Sequence, residues 1–199
     1  MSNHTLSKFK STLKGGGARP NLFEVTIAGL PNSITLGSDN DTFTILCKSA
    51  ALPASNIPQI DVPFRGRIFK VAGDRTYDPW TVTIINDEDF SIRNGMERWM
   101  QLIGQYGDGS GANDPAEYMA SATVRQLGRD NSTLGFGVAE GTGLRAIAQY
   151  KFFDIFPTNI SQIDLSYDSS DTIEEFTVDF QVQYWTPEQP GNTNAQRNR

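Results

Sequence analysis

Hydrophobic and polar residues alternate along much of the chain, in short runs that end at Gly, Pro, Asn or Asp. A period of two places every second side chain on the same face of a β-strand. The runs that predict strands are "NLFEVTIAGL" from Asn21, "DTFTILCKS" from Asp41, "PWTVTII" from Pro79, "EYMASATVRQL" from Glu117, "NISQIDLSYD" from Asn159 and "EEFTVDFQVQYW" from Glu174. This rhythm predicts an all-β domain with one helix.

The clearest alternation lies near the C-terminal end. Five apolar residues share one predicted face there: Phe176, Val178, Phe180, Val182 and Tyr184. Burial of five such side chains contributes roughly 7–15 kcal/mol, as an upper estimate. We therefore expect this strand in the middle of the core. In "NISQIDLSYD" the same scheme sets Ile163, Leu165 and Tyr167 against a polar face, and in "DTFTILCKS" it aligns Phe43, Ile45 and Cys47.

One segment has helical spacing instead. Its apolar residues recur at intervals of four, three, one and three, and are Ile92, Met96, Trp99, Met100 and Ile103. Such spacing predicts an amphipathic helix. Asp87, Glu88 and Asp89 come at or before its first turn, where negative charge is favourable against the helix dipole.

Residues 57–71, "IPQIDVPFRGRIFKV", combine prolines with basic side chains. Pro58 and Pro63 cannot donate to a sheet ladder, so an edge strand or a projecting hairpin is expected. Arg65, Arg67 and Lys70 make the second half of this segment the most basic patch in the chain.

Composition narrows the function further. A chain of 199 residues with 38% hydrophobic content can bury a core, and a net charge of −6 argues against ordinary nucleic-acid binding. The single cysteine excludes an intrachain disulfide, and the first residues contain no apolar run typical of a signal peptide. We expect a soluble protein made in a reducing cytosol.

None of the candidate catalytic and ligand-binding motifs has the residues or the spacing that its chemistry requires. His4 is the only histidine and lies in a segment expected to fray, so a Ser-His or Cys-His pair has no base. No helical pattern follows the glycines from Gly135, and Asp108 and Asp114 lack the spacing of a calcium loop. Cys47 is interpreted as a small buried hydrophobe. We therefore expect no enzyme activity, no cofactor and no metal site.

Several segments resemble the tail tube proteins of contractile-tailed bacteriophages. They are "ARPNLFEV", "CKSAALP", "VAGDRTYDPWTVTIINDED", "PAEYMASATVRQLGRD" and "FPTNISQIDLSYDSSDTIEEFTVDFQVQYW", in the family's order and spanning most of residues 18–185. The resemblance implies two packed antiparallel sheets that form a β-barrel-like sandwich with one flanking α-helix. Three segments are longer than the family pattern: 29–41, 131–143 and the tail after Trp185.

The resemblance also implies a domain division and a set of partners. We expect a flexible segment at 1–17, a tail tube domain at 18–185 and a flexible tail at 186–199. Copies of the chain are expected to form hexameric rings that stack into a tube in the virion, assembled in the host cytoplasm. Other expected partners are the sheath protein, the baseplate hub, the tail terminator, the tape measure protein in the lumen, and double-stranded DNA in transient passage.

Two groups of residues are hypotheses for specific surfaces. Polar strand faces without cations are expected to line the lumen; the candidates are Gln162, Asp164, Asp179, Gln181 and Gln183. Subunit or ring contacts are assigned to Arg65, Arg67, Lys70, Asp74, Arg75 and Trp99, and the helix stripe could pack within one subunit or between two. The alternatives are a tube protein of a contractile injection system, a baseplate tube-initiating protein, and a monomeric β-sandwich binding module.

Overall fold

The computed structural model describes residues 6–13, 17–38, 41–52, 54–129 and 144–188. The helices are α1 (Leu6–Thr12), α2 (Thr42–Leu46) and α3 (Ser91–Ile103), with a short 3-10 helix at Pro115–Glu117. The strands are β1 (Phe23–Ala28), β2 (Cys47–Ala50), β3 (Ser55–Asn56), β4 (Gln59–Phe64), β5 (Arg67–Ala72), β6 (Thr76–Tyr77), β7 (Trp80–Ile85), β8 (Ala120–Leu127), β9 (Ala146–Ile160), β10 (Glu175–Gln181) and β11 (Tyr184–Glu188). The prediction of a mainly β fold with antiparallel sheets and a flanking helix is confirmed.

Most strands belong to one sheet. Its order is β1-β8-β9-β10-β7-β2, and β11 pairs with β9. In the part of the chain that the structure describes, the sheet does not close into a barrel. Two smaller two-stranded sheets join β3 to β6 and β4 to β5.

The chain divides into two compact units. One contains residues 1–26, 123–151 and 186–199, and the other contains 27–122 and 152–185. In the second unit, β7 and β10 pair so that Trp80 faces Phe180 across the ladder and both rings are fully buried. The Trp80 ring also stacks on Phe152, with centroids 4.8 Å apart. These aromatic contacts form the centre of that unit's core.

Helix α3 packs by the predicted stripe. Ile92, Met96 and Trp99 are fully buried, while Met100 and Ile103 are partly exposed. The passage from β7 into α3 needs no flexible linker, because the Asp87 carboxylate accepts a hydrogen bond from the Ser91 backbone N–H at 3.0 Å. Asp87 therefore satisfies one of the free backbone N–H groups of the first turn.

The prediction of a strand across Thr42–Leu46 is wrong, because these residues form α2 and the strand begins only at Cys47. Phe43 and Cys47 are buried, but Ile45 between them is 75% exposed. Residues four apart share a face of a helix, so the same two buried positions fit both periods. Because Ile45 is apolar, the sequence pattern placed it on the buried face, but its side chain lies in solvent.

Residues 161–174 are also not a strand. Strand β9 ends at Ile160 and β10 starts at Glu175. Leu165 and Tyr167, which were expected in the core, are exposed, and so is Tyr184, which starts β11 instead of ending β10. The buried face of the C-terminal strand is thus confirmed for Phe176, Val178, Phe180 and Val182 only.

The predicted Gly-rich insertion at 131–143 and the tail from 189 lie outside the described residues. The long segment at 29–41 contributes Ile34 and Leu36 to the buried core of its unit. Gly95 of α3 makes this possible, since a Cβ at Gly95 would lie 2.3 Å from the Thr35 carbonyl oxygen.

Candidate assembly surfaces

A two-stranded hairpin lies almost wholly in solvent. We call β4, β5 and their turn the hairpin arm (59–72); every residue of both strands is exposed. Phe64 pairs with Arg67, so the turn has two residues, Arg65 at φ 46° and Gly66 at φ 81°. Positive φ at both turn residues is typical of a type I′ hairpin, whose twist matches that of the strands. The prediction of a projecting hairpin is confirmed.

The register of the arm gives it one apolar face. Ile60 lies opposite Val71, and Val62 lies opposite Phe69. Phe64 extends the same face, because side chains two residues apart point the same way. These five side chains are between 41% and 67% exposed. An isolated hairpin of this size is at best marginally stable in water, so we expect a partner surface to bury this apolar face.

The same arm carries the predicted cations. Arg65, Arg67 and Lys70 are exposed, and none has a salt-bridge partner among the described residues. The Arg65 guanidinium lies 5.5 Å from the Phe64 ring centroid. Asp74 and Arg75 follow the arm at its base and are exposed as well. The structure therefore places all five of these interface candidates on or beside one projecting element.

Trp99 does not belong with them. Its side chain is fully buried, its Nε1 donates to the Tyr118 carbonyl oxygen at 2.7 Å, and its ring lies 6.0 Å from Phe180. All three residues belong to the same unit. Trp99 as an interface residue is a wrong prediction, and the buried part of the stripe, Ile92, Met96 and Trp99, packs within its own chain.

A second surface is the solvent side of β7 and β10, which we call the polar sheet face. Thr83 pairs with Thr177 and Thr81 with Asp179, and their side chains are partly exposed. The Asp179 carboxylate accepts hydrogen bonds from Thr81 Oγ1 at 2.6 Å and from Asn159 Nδ2 at 3.0 Å. Neither strand contains Lys or Arg. This face is polar and carries a fixed carboxylate, and Lys48 of the neighbouring strand β2 reaches it as the ion-pair partner of Glu175.

The lumen candidates are split between this face and other places. Asp179 and Gln181 alternate along β10 on the polar sheet face. Gln162 and Asp164 lie on the connection between β9 and β10, where the Gln162 amide donates to the Asp164 carboxylate at 3.1 Å. Gln183 is exposed in the short link between β10 and β11.

The connection between β9 and β10, residues 161–174, is a surface that the sequence pattern did not reveal; we call it the acidic loop. It contains Asp164, Asp168, Asp171 and Glu174 and no Lys or Arg. Leu165, Tyr167 and Ile173 are 72% exposed or more. Apolar side chains that are exposed to water contribute nothing to the stability of a monomer. Exposed apolar side chains beside carboxylates are typical of a surface that contacts a partner.

The first unit contains a chain of polar contacts across four strands. Arg125 donates to Glu24 and to Gln149, both at 3.1 Å. Glu188 accepts from Gln149 at 3.0 Å and pairs with Lys151 at 3.0 Å. Glu24 and Gln149 are buried. Sequence reasoning missed this network, because Glu24 alternates with Phe23 and Val25 in the way that a residue on a solvated strand face does.

The described residues give no sign of a metal site. No group of three or more His, Cys, Asp or Glu side chains among them could hold an ion. Asp108 accepts hydrogen bonds from the Ser110 hydroxyl and backbone N–H, and these hold the pKa of Asp108 below its usual value. The carboxylate thus closes a local turn. Among the described helices, none is long and apolar enough to cross a membrane.

The chain matches the family model for phage tail tube proteins over residues 18–188. The tail tube protein gp19 of Enterobacteria phage T4 is 36% identical over 171 residues, which are 86% of this chain and 92% of that protein. The tail tube protein of Serratia phage KSP90 is 23% identical over 177 residues, 88% of this chain and 92% of the relative.

Solved structures share the fold at low sequence identity. The tube-terminating cap of the anti-feeding prophage aligns with a TM-score of 0.56 and 16% identity, over 86% of this chain and 91% of the other. The sheath-tube complex of an extracellular contractile injection system aligns with a TM-score of 0.52 and 13% identity, over 94% of this chain and 99% of the other.

Proposed function

Because this chain belongs to the phage tail tube protein family, we propose that it assembles as stacked hexameric rings into the inner tube of a contractile tail. The tube would conduct the genome during ejection. The role is structural, and the protein acts as part of the virion after assembly in the host cytoplasm.

The hairpin arm is the observation that carries this proposal. It presents five apolar side chains on one face and three cations without salt-bridge partners among the described residues. A soluble monomer with this arm would expose a strand edge and an apolar surface, both of which promote association. An assembly that buries the arm against a neighbouring copy removes both liabilities. Arg65, Arg67 and Lys70 on the arm, with Asp74 and Arg75 at its base, are then the charged part of a subunit or ring contact.

The polar sheet face is our candidate for the wall of the lumen. A conduit for DNA must not hold phosphates, and this face combines Thr81, Thr83 and Thr177 with Asp179 and Gln181. Its two strands contain no Lys or Arg, and the neighbouring Lys48 is neutralised by its ion pair with Glu175. At physiological salt, charge acts over about 8 Å, so repulsion is confined to the layer next to the wall. The wall is therefore non-adhesive and does not drive the DNA. Gln162 and Asp164, at the start of the acidic loop directly after β9, and Gln183, in the link after β10, remain lumen candidates.

The partners follow from the same proposal. The solved relatives include a sheath-tube complex and a tube-terminating cap. We extend this to a sheath protein around the outside of this chain's tube, and to a baseplate hub and a terminator at its ends. A tape measure protein would occupy the lumen before DNA passes through it.

Other roles differ in what they require of the arm. A tube protein of a contractile injection system, or a baseplate tube-initiating protein, would use the same surfaces without conducting a genome. A monomeric β-sandwich binding module would leave the arm uncovered.

The test is the mass of the purified protein in solution. Size-exclusion chromatography with light scattering should give rings or larger assemblies for the natural chain. The variant Val62→Ser with Phe69→Ser should elute as a folded monomer, because these side chains are exposed in the chain and contribute little to its own core. A natural chain that stays monomeric at high concentration would contradict the proposal and favour the binding module.

A further inference from the structure

We propose that the hairpin arm of one copy docks on the acidic loop of a second copy, and that this arm-to-loop contact links neighbouring subunits. The inference rests on the proposed assembly and names the surface that receives the arm. The occupant is a second copy of the same chain.

The two surfaces are complementary in charge. Residues 59–75 contain four cations, Arg65, Arg67, Lys70 and Arg75, against the two carboxylates Asp61 and Asp74. The acidic loop has four carboxylates and no cation. On a chain with a net charge of −6, the arm is thus a local basic element, and the loop is an acidic one. Opposite potentials of this kind select the docking partner and its register.

The charges are available for a partner. Asp168 and Asp171 are exposed and form no salt bridge among the described residues, as is true of Arg65, Arg67 and Lys70. The nearby carboxylates Glu174 and Glu175 are already held, by the Asn86 amide at 3.0 Å and by Lys48 at 2.5 Å. The unpaired charge of the loop is therefore concentrated at its middle, around Asp168.

Apolar groups accompany the charges on both sides. The apolar face of the arm carries Val62, Phe64 and Phe69, and the loop carries Leu165, Tyr167 and Ile173, all of them exposed. Interfaces gain most of their affinity from such apolar and aromatic anchors surrounded by polar groups. The contact would bury on both partners the side chains that a single chain leaves in water.

Geometry makes the contact one between copies. Both surfaces belong to the same unit and both are exposed within it, so the arm does not cover its own loop. Six residues of strand extend about 20 Å, which lets the arm reach past its own chain. Because the arm and the loop are different surfaces, the contact can repeat head to tail from copy to copy, as a ring or a stack of rings requires. Two copies that exchange arms would instead close as a dimer, and a dimer as the final assembly of the natural chain would contradict the proposed repeat.

Cysteine cross-linking tests the contact directly. Chains with Arg67→Cys are mixed with chains with Asp168→Cys, allowed to assemble and oxidised. The expected product is a covalent dimer of the two chains that a reductant separates. Cys47 should not interfere, since its side chain is buried and burial raises the pKa of its thiol to about 12. The natural chain is therefore the background control.

A matched pair controls for random collision. Chains with Arg67→Cys are mixed with chains with Asp89→Cys, an exposed carboxylate that lies outside the acidic loop. We expect at least about tenfold more dimer with Asp168→Cys than with Asp89→Cys. Equal yields, or a disulfide within one chain when both Arg67→Cys and Asp168→Cys are on it, would overturn the inference.

Exchange of the charges between the arm and the loop is a second test, for use if the cysteine variants do not assemble. Arg65→Glu with Arg67→Glu should lower the yield of assembly, and the addition of Asp168→Arg with Asp171→Arg in the same chain should restore it. Failure to restore assembly in a folded protein would also overturn the inference. If tubes of the natural chain form while both tests fail, the arm docks elsewhere and the tube function stands; if the natural chain forms no tubes, the proposed function itself fails.

Discussion

At the scale of single residues, Glu24 and Gln149 are the polar side chains most deeply placed among the described residues, each 7% exposed. Arg125 contacts both of them, so one guanidinium satisfies a carboxylate and an amide that have little access to water. Burial of a charge is tolerated only when it is paired and hydrogen-bonded. Arg125 therefore positions three strands through its two donor groups.

Arg125→Met should destabilise the folded chain by about 1.5–3 kcal/mol, because it leaves the Glu24 carboxylate buried without its cation. The matched variant Lys151→Met removes the exposed pair with Glu188 and should cost less than about 1 kcal/mol. Urea unfolding measures both. The background should be the Val62→Ser/Phe69→Ser chain, since assembly would raise the apparent stability. Equal losses for the two variants would refute the special role of Arg125.

At the scale of elements, α3 and the segment around Thr35 approach each other so closely that only glycine fits at position 95. In an ordinary helix interior, glycine is about 1 kcal/mol less favourable than alanine. Here a methyl group would meet the Thr35 carbonyl oxygen at 2.3 Å and the Leu36 side chain at 3.0 Å. The contact reverses the usual preference.

Gly95→Ala should therefore destabilise the chain by about 1–3 kcal/mol, as overpacking does elsewhere. Gly104→Ala is the matched control, because no atom lies within 4 Å of its added Cβ and its φ of −154° is open to any residue. Chemical denaturation compares the two. A gain in stability for Gly95→Ala would contradict the packing described for α3.

Elements also show where the sequence was informative and where it was not. Trp80–Ile85, Ala120–Leu127 and Ser91–Ile103 were predictable because each buries one face with the period of its own geometry. Thr42–Leu46 was not, since Phe43 and Cys47 satisfy a period of two and of four at once. The residues after Ile160 alternate as a strand would, yet they lie in solvent, and alternation alone cannot distinguish a core face from a face for a partner.

The candidate site was predicted in part for the same reason. Prolines and cations marked the arm, and alternation placed Asp179 and Gln181 on one face. The buried Glu24–Arg125 pair required knowledge of which strands are neighbours. Trp99 was ambiguous, because an apolar stripe on a helix has the same pattern whether it packs inside a chain or between chains.

At the scale of the whole molecule, the surfaces of the second unit divide by chemistry. The hairpin arm is apolar and basic, the acidic loop is apolar and negative, and the two strands of the polar sheet face contain no Lys or Arg. The hairpin arm and the acidic loop have the chemistry of surfaces that contact other copies. The polar sheet face has the chemistry of a surface that leaves passing DNA unbound. This division is what a hollow assembly of identical subunits requires.

Lysines on the polar sheet face should slow the release of DNA without preventing assembly. We expect Thr83→Lys with Gln181→Lys to slow release by about tenfold or more, since contacts with phosphates are repeated along the wall. Asn94→Lys with Gln101→Lys adds the same charge to the exposed side of α3 and should have little effect. DNA release from particles of equal tail length measures the difference. Equal rates of DNA release in both variants would contradict the placement of the polar sheet face in the lumen.

Electron microscopy of the purified natural chain in negative stain is the direct test of tube formation. We expect hollow tubes or stacked rings with six-fold end views, and their loss in the Val62→Ser/Phe69→Ser chain. A uniform field of single small particles from the natural chain, at concentrations where the protein is folded, would contradict it.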